Sequence, residues 1–153
     1  MNDWSLALLT AALTLLGGIV IFSITRLLDL KYFTPYYGLK GKLALIKAEL
    51  LFSQNILTNK TDGPILAPKI FELATVAQTN IRKHWSELMP VYQSARIFPL
   101  TRKIPTEKEI DQLQKNLLYL SNFTTTVQNE HEELKTVNTS LKQSISLIDK
   151  YLV

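Results

Sequence analysis

The stretch WSLALLTAALTLLGGIVIFSIT, residues 4–25, contains no charged residue and consists mostly of Leu, Ala, Ile, Val and Thr. Asp3 precedes it and Arg26 follows, so the uncharged run is 22 residues long. As a helix rising about 1.5 Å per residue it reaches roughly 33 Å, enough to cross a hydrocarbon core of about 30 Å. A cleavable secretory leader is the competing reading. Such leaders open on a basic segment and carry an apolar run of about 7 to 15 residues before a small-residue cleavage site. Here an acidic residue comes first and the run is longer. The stretch reads as an uncleaved transmembrane anchor over residues 1–28.

The flanks give an orientation. Only the α-amino group and Asp3 precede the run, whereas Arg26, Lys31, Lys40, Lys42 and Lys47 follow it. Positive flanks stay in the cytoplasm, which places the N-terminus outside, the remainder inside, and the chain in the cell (inner) membrane. Those five cations form a collar suited to anionic lipid head groups. Trp4 at one end, with Tyr32, Phe33, Tyr36 and Tyr37 at the other, fits aromatic anchoring at the two interfaces. Residues 26–60 hold six Lys and Arg against two Asp and Glu, whereas residues 61–153 hold eleven against ten. The excess charge is juxtamembrane, not a patch on a folded domain, and argues against nucleic acid as a partner.

Residues 29–58 read as a juxtamembrane segment containing a basic amphipathic helix over 39–57. Leu39, Leu43, Ile46, Leu50 and Leu57 recur at helical spacing, with Lys40 and Lys47 on another face. Its place is either on the membrane or in a core. Leu45, Leu51 and Phe52 broaden its apolar face and favour the core. Asp62-Gly63-Pro64 marks a loop.

Residues 59–153 read as a helical, coiled-coil domain. A helix over 68–88 is expected to end before Pro90, with Ile70, Ala74, Ala77, Ile81, His84 and Leu88 on one seam. Pro90, Pro99 and Pro105 then punctuate a connector. Thr106-Glu107-Lys108-Glu109 is a capping box that starts the next helix. Beyond it, steps of three and four pick out Ile110, Leu113, Leu117, Leu120, Thr124, Val127, His131, Leu134, Asn138, Leu141, Ile145, Ile148 and Leu152 without a slip. The unbroken phase favours one helix over 106–152, although Ser121 to Thr126 are poor helix formers and a break there would give two antiparallel helices. The seam's middle is polar at Thr124, His131 and Asn138, and Asn138 could fix register against a copy of itself. Apolar residues beside the seam, Phe123, Val137 and Tyr151 among them, imply that more than two helices meet.

The span carries its own packing face. Ala7, Ala11, Thr14 and Gly18 lie on one side at steps of four, three and four, and small residues let helix backbones approach closely. Chemistry has little support. There is no cysteine, and neither histidine, His84 nor His131, has a nucleophile or ligand partner at a recognisable spacing. Neither cofactor, metal site nor small-molecule substrate is indicated.

The expectation is an all-α, single-pass membrane protein with a helical-bundle or coiled-coil domain and a long C-terminal heptad helix. It is expected to be no enzyme but a scaffold that recruits or assembles partners, as a homo-oligomer or with another helical protein. An accessory subunit of a larger membrane complex and a membrane-disrupting effector are the alternatives.

Overall fold

The computed structural model describes residues 3–58, 67–97, 104–122 and 130–152, with side chains described over 4–56, 75–97, 104–122 and 135–152. The described residues are 96% helical and contain no strand. Helix α1, Asp3–Leu28, passes through a π turn, Asp29–Phe33, into α2, Thr34–Thr58; α3 is Ala67–Ala95, α4 Glu107–Asn122 and α5 Glu130–Leu152. Because the first three segments share one hydrogen-bonded ladder, Trp4–Ile56 is a single helix of 53 residues. That helix is long and apolar enough at its N-terminal end to cross a membrane. No described side chain of α1 enters the core.

Helices α2 to α5 form a four-helix bundle. Successive helices run antiparallel, as the paired contacts require: Lys42 with Glu87 and Glu49 with Asn80 between α2 and α3, Arg96 with Glu107 and Arg82 with Asn122 between α3 and α4. Helix α5 returns against both α4 and α2, where Lys47 meets Asp149 at 2.6 Å. Each helix brings one apolar stripe. In α2 it is Tyr36, Leu39, Leu43, Ile46 and Leu50, all buried, so this helix packs in the bundle core. A buried leucine stabilises by roughly 1.5–3 kcal/mol relative to exposure, which makes such a stripe the dominant force fixing the helix.

Helix α3 does not stop before Pro90 but runs through it to Ala95. The reason lies beyond the proline: Tyr92 and Ala95 extend the buried series Ala77, Ile81 and Leu88 by steps of four and three. Pro90 itself points outward and is exposed. Packing two further core residues offsets the proline cost of about 3 kcal/mol.

The single rod over 106–152 is replaced by a hairpin. Lys150 Nζ lies 2.6 Å from Glu109 Oε1, whereas along one straight helix residues that far apart would be separated by about 60 Å. Two short helices bury both of their stripes on neighbours, which one projecting rod could not do. The heptad count misleads because the intervening 123–129 is seven residues, one whole heptad, so the phase crosses it undisturbed.

Candidate interaction surfaces

The seam residues fall into three groups. Ile110, Leu113, Leu117 and Leu120 of α4, with Leu141 and Ile148 of α5, are buried in the chain's own core. Asn138, Ile145 and Leu152 are half-buried. Thr124 and Val127 lie outside the described residues, as do the side chains of His131 and Leu134. The buried stripe of α5 is Val137, Leu141, Ser144, Ile148 and Tyr151, rotated by about 50° from the expected seam, with Leu141 and Ile148 common to both. Contact with α2 on one side and α4 on the other turns the helix this way. Ser144 is thereby fully buried, and Asn116 Nδ2 donates to its Oγ at 3.1 Å. Asn138 Oδ1 is buried without a hydrogen-bond partner among the described residues.

Glu109 is a tertiary tie as well as a cap. The capping box forms as read, with Thr106 N–H donating to Glu109 Oε2 at 2.8 Å and Glu109 N–H donating to Thr106 Oγ1 at 3.3 Å. The same carboxylate accepts from Lys150 Nζ and from Tyr151 Oη, both at 2.6 Å. Burial raises its pKa, but the donors from Lys150, Tyr151 and Thr106 together outweigh it and hold the carboxyl at about 2 instead of 4.5. A depressed carboxyl stabilises the fold fully above its unfolded value and loses that contribution as pH falls from 4.5 towards 2. Lys150 is solvent-exposed, so screening trims the effect to about 2 kcal/mol. Glu109→Gln should lower unfolding stability by about that amount at pH 7 and leave it nearly equal to the parent at pH 2, read by urea titration at both pH values. An equal loss at both would show that the ionised carboxylate is not what binds α5.

The five collar cations divide. Arg26 pairs with Asp29 at 3.3 Å and is exposed. Lys31 is exposed, and Lys40 half-buried, each 5.7 Å from a tyrosine ring centroid, Tyr32 and Tyr36 respectively. Lys42 and Lys47 point into the bundle instead: Lys42, only 10% exposed, binds Glu87, and Lys47 binds Asp149. Two of the expected lipid contacts are therefore ion pairs between helices. Lys42 also faces His84, whose Nδ1 is buried without a partner among the described residues; burial first and the ammonium second push that imidazole's pKa down. The histidine is half-buried on the inner side of α3, and among the described residues no cluster of acidic, His or Cys side chains could hold a metal ion.

Two of the exposed apolar surfaces among the described residues lie on the long first helix. On α1 the small residues leave a shallow groove lined by Leu6, Ala7, Thr10, Ala11, Thr14 and Leu15. On α2 the side opposite the core exposes Tyr37, Leu45 and Phe52 at 64%, 58% and 41%. Sequence reading assigned Leu45 and Phe52 to a widened core face. The missed signal is that Tyr37, Gly41, Ala44, Leu45, Ala48 and Phe52 form an uncharged side without any member of the buried stripe. Comparison with protein families, curated proteins and solved structures finds no match.

Proposed function

We propose that this chain is a single-pass membrane protein whose cytoplasmic four-helix bundle binds and positions other proteins at the membrane. The observation that carries the reading is the continuity of Trp4–Ile56: an apolar helix exposed along its first half becomes a core helix of the bundle in its second. A bundle fused to its anchor by one helix is held at a fixed distance and rotation from the bilayer. A flexible tether would fix neither. Arg26 and Lys31 at the junction suit an anionic cytoplasmic leaflet and, by the positive-inside rule, favour a bundle on the inner side of the membrane. The bundle interior is filled by side chains, which favours binding at its surface over chemistry within it.

The absence of cysteine makes a direct test simple. Ser146, exposed on α5, is changed to Cys and probed with a membrane-impermeant thiol reagent. Labelling is expected only after the cells are permeabilised, and labelling of intact cells would overturn the orientation. A photo-crosslinker scanned over exposed bundle positions in native membranes should trap discrete protein adducts. Failure to trap any protein from every exposed face would remove the binding reading.

A further inference from the structure

We infer that the outward side of α2 and the small-residue side of α1 form one continuous surface that receives a second copy of this chain in parallel. The inference rests on the membrane-anchored reading and adds the partner. On α2, Tyr37, Gly41, Ala44, Leu45, Ala48 and Phe52 face away from the core over about four turns, with no charge among them. Lipid cannot cover the far end of this side. Leu45 is 17 residues past Leu28 on an unbroken helix, about 25 Å beyond the end of the apolar run.

The π turn aligns the two faces. An α-helix turns about 100° per residue, so without interruption Ala7, Ala11, Thr14 and Gly18 would line up with the buried side of α2, beneath the bundle. A π turn closes on i→i+5 and so takes in one residue more, which rotates everything before it by about 100° relative to everything after. That brings the α1 face to within about 50° of the centre of the outward α2 face. Asp29, which lies between them, is neutralised by Arg26.

The glycines add to this. Gly18 and Gly41 lie on the shared face, whereas Gly17 and Gly38, for which a Cβ would likewise meet nothing within 4 Å, lie away from its centre. Each glycine costs about 1 kcal/mol relative to Ala inside a helix, and on the shared face a bare backbone permits close approach of another helix.

Size selects the occupant. A strip about 10 Å wide along α2 alone covers roughly 240 Å² per partner, well short of a specific interface of about 1,000 Å² in total. Joined to α1, the strip from Ala7 to Phe52 gives roughly 1,400 Å² in total, which clears that threshold. A partner must then match both the membrane-embedded and the aqueous part in one rigid register. A second copy, inserted in the same orientation, does so by symmetry.

The test uses the full-length chain in native membranes. Ala11→Cys or Ala48→Cys, introduced singly, should give a dimer-sized product on oxidation or with a short bismaleimide, and Lys142→Cys, exposed on α5, should not. Deleting Leu30, which removes the extra residue of the π turn, should keep the Ala11→Cys product and lose the Ala48→Cys product. Membrane-bound chain in which Ala48→Cys crosslinks no better than Lys142→Cys overturns the inference alone, as does a product containing a different protein, or an Ala48→Cys product that survives the deletion. Chain recovered in the soluble fraction would instead overturn the anchored reading beneath it.

Discussion

Leu141→Asp should unfold the bundle outright. Leu141 has no exposed surface and sits where α5 packs against its neighbours in the common core. Removing a buried leucine costs about 2–5 kcal/mol through lost burial and the cavity left behind. A carboxylate in the same place adds several kcal/mol more because burial in a hydrophobic cluster strips it of water. The sum reaches about 5 kcal/mol or beyond, the scale of a whole domain's stability. Full-length protein in nanodiscs, followed by far-ultraviolet circular dichroism and urea titration, should lose its cooperative transition while α1 stays inserted. Leu118→Asp, on an exposed leucine of α4, should change stability by no more than about 0.5 kcal/mol. A Leu141→Asp protein that folds with parental stability but fails to associate would mean that this leucine faces a partner and not its own core.

That experiment separates two readings of one pattern. A heptad seam says which residues seek burial but not whose surface buries them. Ile110, Leu113, Leu117 and Leu120 were legible as apolar and in phase, and they are buried. Nothing in their spacing distinguished a rod that pairs with a copy from a hairpin that closes on α2 and α3. The distinction is carried by Glu109, whose local role as a cap was readable from Thr106 and whose contacts with Lys150 and Tyr151 were not, because they join positions about forty residues apart. The stop expected before Pro90 failed for a related reason. Proline's backbone cost is local and visible, whereas the burial of Tyr92 and Ala95 that offsets it is tertiary. Lys42 and Lys47 were legible as cations beside the span, but their acidic partners lie in α3 and α5. By contrast the apolar run of α1 was legible from residues 4–25 alone, and it forms a helix long and apolar enough to cross a membrane, a property of local composition and length and not of tertiary contacts.

The same independence predicts the second large effect. Changing Leu13 and Leu16 together to Arg should release the chain from the membrane while leaving the bundle folded. Both leucines are exposed on α1, at 61% and 59%, and neither touches the core. Each arginine near the centre of a span costs about 2.5–3.5 kcal/mol of insertion free energy, so the pair removes about 5–7 kcal/mol. Alkaline carbonate extraction should shift the protein from the membrane pellet to the supernatant, and the urea transition of the α2 to α5 bundle should be unchanged. The two positions also lie on the opposite side of α1 from Ala7, Ala11, Thr14 and Gly18, so release could not be credited to damage at the small-residue face. Retention in the pellet with an intact bundle would mean that something other than α1 holds the chain at the bilayer. The fixed spacing between anchor and bundle would then lose its purpose, since a helix that does not span cannot set the height or rotation of what it carries.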